Sequence, residues 1–181
     1  MKPFTRNATV IWLGTHRHGK GAITTPSAVL KKTPYLFGPQ LKPGRITNPP
    51  ELIAAAHAGS FSMALASELG DAGYRPAQID TTVTVTMEDA AAGWTITQIH
   101  LDVIATVPNA AQCDFIDAAL RAKSSCPISR LLDANISMRA KLTDRAAPAP
   151  VLQHPNAVGL ESPVKSKRQR KTNYPKTVRV S

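Results

Sequence analysis

The chain is short of thiols, of acidic side chains and of long apolar runs, and each shortage excludes something. It has two cysteines, Cys113 and Cys126, too few for a disulfide framework. A reducing cytoplasm is therefore the expected setting. Paired CxxC motifs, a Gly-rich phosphate loop and an internal repeat are all missing. His16 and His18 sit together in HRH, but no further ligand accompanies them, so neither a metal nor another cofactor is expected. No uncharged apolar run approaches the roughly 18 residues of a membrane span. The opening MKPFTRNATVIWLG lacks the apolar core and cleavage site of a signal peptide. Acid is scarce: 12 Asp and Glu stand against 22 Lys and Arg, a net charge of +10. The imbalance is local, because residues 146–181 hold seven Lys or Arg and a single acid, Glu161. The high pI therefore says little about the rest of the chain.

What is present reads as one domain over residues 1–145 and a basic, Pro-containing tail over 146–181 that lacks the composition for a core. Residues 7–14 (NATVIWLG) are β-rich, and 21–25 read as a hairpin partner across the polar turn HRHGK. Residues 33–50 read as a long irregular connection. The longest helical pattern follows, in the stretch TNPPELIAAAHAGSFSMALASELGDAGY over residues 47–74. Asn48 suits the N-cap, Pro49 the first helical position and Glu51 the first turn. Leu52, Ala55, Ala56, Gly59, Met63 and Ala66 share one face. Ile53, His57, Ser60, Ala64 and Ser67 share the next. A helix so apolar all round is expected to be central and buried.

Residues 79–87 and 94–107 alternate with period two and predict a long hairpin turning at 90–93. Asn109 is expected to cap a second helix that places Phe115, Ile116, Ala119 and Leu120 inward and breaks at 123–125. Pro127 opens a short helix to 132, and residues 135–142 predict a last strand. Trp12 and Trp94 are expected in the core. Cys113 reads as packing filler. His57 and Ser60 invite comparison with a hydrolase pair, but no third member or oxyanion loop is recognisable.

Several blocks, in order, carry a resemblance: GKGAITTPSAVLKKTPYLF, TNPPELIAAAHAGSFSMALASELGDAGY, IDTTVTVTM, GWTITQIHLDVIATVPN and AKSSCPISRLL. They resemble the OsmC/Ohr family of thiol peroxidases, a resemblance that covers about residues 8–143. The tail has no counterpart. The resemblance implies an α+β fold, with antiparallel sheets wrapped around central helices in an intertwined homodimer and sites at the subunit interface. It implies reduction of organic hydroperoxides by a reactive cysteine, which a second cysteine resolves. A dithiol such as a lipoylated protein then restores the thiols.

Carried over position by position, the family's reactive cysteine falls on Ser60 and its resolving cysteine on Cys126. Its activating Arg falls on Gln40 and its Glu on Pro50. Arg45 and Glu51 are nearby substitutes. The resemblance thus implies a peroxidase scaffold whose own catalysis is impaired. A different reading is a non-catalytic dimeric binding protein with an apolar interface pocket. In that reading the tail run Lys165, Lys167, Arg168, Arg170 and Lys171 meets nucleic acid or another anionic surface.

Overall fold

β-Branched alternation builds the strands, and two glycines set the geometry of the first hairpin. The computed structural model describes residues 3–15, 18–37 and 46–143. These belong to the first of two compact units, Met1–Ala147; the second, Pro148–Ser181, lies outside the described residues, as do His16, Gln40 and Arg45. Strand β1 (Thr9–Leu13) pairs antiparallel with β2 (Lys20–Thr24), and β2 with β3 (Thr33–Tyr35). Gly19 is forced: a Cβ there would lie 2.5 Å from the Trp12 ring and 2.4 Å from the Thr15 carbonyl oxygen. Strand β3 replaces part of the expected irregular connection. Its Pro34 has no N–H to give, which an edge strand tolerates, and Thr47 bridges back to Tyr35.

Helix α1 (Pro49–Asp71) starts as its sequence dictates. Asn48 is the N-cap, its Oδ1 accepting from the Glu51 N–H at 2.9 Å. The Glu51 carboxylate accepts in turn from Thr47 Oγ1 and Asn48 Nδ2 at 3.2 and 3.4 Å. The helix is not buried all round. Its buried residues are His57, Phe61, Leu65 and Leu69, a four-residue ladder. Ala55, Ala56, Gly59 and Met63 face outward, Met63 being 71% exposed. The reason is geometric: within one chain, α1 has partners on one side alone. By length and composition alone α1 is long and apolar enough to cross a membrane, its best window having a mean hydropathy of 1.2, a test that core helices also pass. A count of uninterrupted apolar residues misses this, because Ser, Gly and His lower the average only slightly. Of that window, 22% is buried within the chain.

The second sheet has the order β4-β5-β6: β4 (Gln78–Ala90), β5 (Gly93–Thr106) and β6 (Asn135–Thr143). Gly93, at φ +96°, turns the β4–β5 hairpin. A register shift between Thr86 and Met87 leaves Thr97 as the extra residue of a bulge, its hydroxyl buried without a partner. Strand β6 runs parallel to β5, so the sheet is mixed rather than antiparallel. A helical crossover between β5 and β6 brings the chain back in the same direction.

That crossover is α2 (Gln112–Ser125) followed by α3 (Pro127–Leu131). Asn109 is not its cap. It takes φ +62° in the preceding turn, and Ala111 holds the cap position with no side-chain bond. Helix α2 runs unbroken through Lys123 to Ser125 and buries Phe115, Ala118, Ala119 and Ala122, whereas Leu120 is 51% exposed. The core joins these to Phe61, Leu65 and Leu69 of α1 and to Leu101, Val103 and Ala105 of β5. Neither tryptophan is in it. Trp12 meets Tyr35 edge-on at 6.3 Å, and half-exposed Trp94 meets Phe37 at 5.8 Å.

Candidate functional site

One proline and one long helix place the side chains that matter. Pro127 excludes the α conformation from the residue before it. Cys126 accordingly takes φ −55° and ψ 122°, ending α2 and opening α3 at the same residue. Its N–H still closes α2 on the Ala122 carbonyl at 2.9 Å, and its carbonyl accepts the Arg130 N–H at 3.1 Å. The side chain is thereby aimed at α1 and fully buried.

Opposite stands Ser60, in the middle of α1. The Cys126 Sγ and the Ser60 Oγ lie 3.3 Å apart. The thiol donates when protonated; as a thiolate it accepts from the hydroxyl. Burial pushes the Cys126 thiol up, but the Ser60 hydroxyl, the Ser129 N–H and hydroxyl and the Ile128 N–H together outweigh that and hold it below its ordinary value. The Ser60 contact is the one among these at hydrogen-bond length.

One turn before Ser60, His57 is fully buried, and its Nε2 meets Ser129 Oγ at 2.8 Å. Its Nδ1 has no partner. The arrangement suits a neutral ring with the proton on Nε2, donating to Ser129. A bare lone pair at Nδ1 costs less than an orphaned N–H would. Burial lowers the His57 pKa accordingly. His57, Ser60, Cys126 and Ser129 thus form one cluster between α1 and α3. Ser129 was not a residue that spacing singled out. Its signal was present as C-P-x-S, with the serine three residues past the cysteine at a helix start.

The other expected positions among the described residues do not join this cluster within the chain. Pro50 lies in the first turn of α1 and carries neither charge nor N–H. Glu51 is exposed and engaged with Thr47 and Asn48, roughly 13 Å along the helix axis from Ser60 at 1.5 Å per residue. Gln40, Arg45 and the basic run from Lys165 to Lys171 lie outside the described residues. Cys113 is exposed, its thiol donating to Asp114 at 3.6 Å, and it makes no bridge to Cys126. Among the described residues, no three His, Cys, Asp or Glu side chains gather as metal ligands. A separate cavity of about 390 Å³ opens on the first sheet, apolar in lining, with Lys20 and Lys32 beside Ala22, Tyr35, Leu36 and Ile46.

Chemically the cluster offers a thiol with thiolate-stabilising donors, facing a hydroxyl. A thiolate is a nucleophile toward peroxide oxygen. A serine hydroxyl stays protonated at neutral pH, and its oxygen has no sulfenic state to enter.

Comparison with known proteins bears on the family and the fold. A family model described as OsmC-like protein matches residues 42–141. Peroxiredoxin OsmC of Escherichia coli is 42% identical over 131 residues, covering 72% of this chain and 92% of that protein. Among solved structures, the organic hydroperoxide resistance protein OhrB of Bacillus subtilis superposes with a TM-score of 0.55 at 20% identity, covering 76% of this chain and 98% of that one. An OsmC-like protein of unknown function from Vibrio cholerae gives a TM-score of 0.62 at 12% identity, covering 76% and 99%. The two structural likenesses, at such low identity, speak for the fold alone.

Proposed function

The chain belongs to the OsmC-like family, and from that premise we propose that it serves organic-hydroperoxide defence on a peroxidase scaffold whose two-thiol cycle is interrupted at Ser60. The observation that carries this reading is the 3.3 Å approach of Cys126 Sγ to Ser60 Oγ. The two positions that the family resemblance assigns to the two thiols meet here as one thiol and one hydroxyl.

In a two-thiol cycle the first thiolate attacks one peroxide oxygen. The O–O bond breaks, the alcohol leaves with a proton, and the sulfur is oxidised by two electrons to a sulfenic acid. The second thiol displaces water from that sulfur to give a disulfide, which a dithiol reduces. With oxygen at position 60 the first step has no nucleophile there, and no intrachain disulfide with Cys126 forms. Gln40 and Pro50 supply no charge to lower the pKa of a thiol at that position. The proposed setting is a reducing cytoplasm, where Cys113 and Cys126 stay unbridged. The proposed reductant is a dithiol such as a lipoylated protein.

The test is consumption of cumene hydroperoxide with a dithiol reductant. The wild-type chain is expected to turn over slowly. Ser60→Cys is expected to gain at least about tenfold without reaching full family activity, since no Arg or Glu returns with it. Wild-type turnover equal to that of Ser60→Cys sinks the impaired-catalysis reading.

A second reading rests on the cavity of the first sheet. An apolar lining with two lysines suits an amphipathic anion, so the scaffold would act as a binding protein, with the basic tail on a polyanion. Lipid recovered with the purified protein, lost in the Lys20→Glu/Lys32→Glu double variant, supports the pocket. Unchanged vesicle and nucleic-acid retention at low salt after deletion of 146–181 removes the tail from that reading.

A further inference from the structure

Positive charge is segregated within the first part of the chain. Residues 1–50 hold eight Lys or Arg and no Asp or Glu. The first acid, Glu51, is engaged at the start of α1 with Thr47 and Asn48. The β1–β3 arm thus carries cations without counter-charges of its own. Two of them, Lys20 and Lys32, line one cavity of about 390 Å³ together with Ala22, Pro34, Leu36 and Ile46. Among the described residues no carboxylate pairs with either lysine. No residue of β1 lines the cavity, so it is distinct from the exposed Ile11 and Leu13 of that strand.

The strand register sets what lies between the two lysines. Lys20 opens β2 one residue before the Gly21–Tyr35 pair, which brings it level with Leu36. Ala22 pairs with Pro34 in the middle. Lys32 stands beyond, its N–H donating to Thr24 Oγ1 at 3.1 Å. That bond holds it at φ +49°, a left-handed conformation that a lysine adopts at a cost. Lys20 and Thr24 are four residues apart on β2, so the two lysines leave the backbone about 13 Å apart at 3.3 Å per residue. The order along the cavity is cation, apolar floor, cation. Two ammonium groups in one cavity repel each other, which keeps them at its ends and favours a ligand that is negative at both.

We propose that this cavity binds an unbranched dianion with an apolar middle, a medium-chain dicarboxylate, with one carboxylate at Lys20 and the other at Lys32. The proposal rests on the reading of the cavity as a ligand pocket, and it narrows the ligand from any amphipathic anion to a two-headed one. A single-headed anion of the same chain satisfies one lysine and leaves the other unpaired. A short dicarboxylate carries both charges but cannot span the apolar floor. Both lysines are exposed, so the second ion pair adds a modest, salt-sensitive preference.

Calorimetric titration of the full-length protein at low salt compares nonanedioate, nonanoate and butanedioate. Nonanedioate is expected to bind about threefold more tightly than nonanoate, and butanedioate most weakly. The preference for nonanedioate should shrink at high salt. Lys20→Met and Lys32→Met keep an unbranched stem at an exposed position. Each is expected to bring nonanedioate down to the affinity of nonanoate and to leave the melting temperature unchanged. Nonanoate binding as tightly as nonanedioate leaves the pocket reading standing and overturns the two-headed ligand. Binding of neither overturns both. Butanedioate matching nonanedioate, or an unchanged nonanedioate affinity in either methionine variant, also overturns the proposal.

Discussion

At the scale of single residues, the site is governed by one oxygen and one buried ring. Ser60 changes the chemistry with almost no change in volume, which is why α1 and α3 still bring positions 60 and 126 together at 3.3 Å. His57 carries a consequence for stability. Its folded-state pKa is lowered by burial from 6.5, so below pH 6.5 the unfolded chain binds the proton more readily than the folded one. Stability from this group is complete above about pH 6.5 and is lost as pH falls toward the folded value. The melting temperature is expected to hold between pH 8 and 7 and to drop below pH 6.5. The drop should be shallower in His57→Gln, measured by calorimetry; equal slopes for the two proteins contradict the argument. Ser60 and Cys126 were legible in the sequence because each sits inside a motif block. The His57–Ser129 bond was not, since it joins residues 72 apart and depends on the angle between two helices.

At the scale of elements, legibility followed local chemistry. The start of α1 was readable because its N-terminal signals are contiguous: Asn48, Pro49 and Glu51 do in the fold what their positions dictate. Asn48→Ala removes the bond to the Glu51 N–H and loosens the Glu51 carboxylate. It is expected to cost about 1 kcal/mol, a drop of roughly 2–4 °C in melting temperature for a domain of this size. An unchanged melting temperature would mean that water caps the helix equally well. The start of α2 was misread because Asn109 supports two local structures, a cap and a left-handed turn, and the chain uses the second. The parallel direction of β6 was also hidden, since period two looks the same in either direction. The faces of α1 were misjudged for a different reason. Its whole surface is apolar or small, so periodicity could not distinguish the Phe61–Leu65–Leu69 ladder from the side bearing Met63. Truncating the ladder distinguishes them: Leu65→Ala is expected to cost about 2–5 kcal/mol, and Met63→Ala under about 1 kcal/mol in a monomer.

At the scale of the whole molecule, the question is what covers the surfaces that one chain leaves open. Val10, Ile11 and Leu13 on β1 are exposed, although valine, isoleucine and leucine on a strand are what a core ordinarily takes. On α1 the outward side carries Ala55, Ala56, Gly59 and Met63, and a Cβ at Gly59 would meet nothing within 4 Å. Small residues around one large apolar side chain let a second helix approach closely. Among the described residues, Phe37 of the first-sheet segment meets Trp94, and Thr47 bridges back to Tyr35. An arm with apolar residues outward is suited to packing on another copy. In the homodimer that the family resemblance implies, α1 of each chain and the β1–β3 arm are the surfaces a partner would cover. A stable dimer buries roughly 1,200–2,000 Å² in total, and these two surfaces supply its apolar part. Light scattering is expected to give about twice 19.4 kDa for the wild-type chain. Met63→Lys and Ile11→Asp, one on each surface, should each weaken the dimer and make the melting temperature depend more steeply on concentration. Neither is part of the Ser60–Cys126 contact, so loss of Cys126 thiolate in both variants would mean that the partner completes the site. A wild-type mass of 19.4 kDa at high micromolar concentration would leave the exposed face of α1 to some other partner and end the dimer inference.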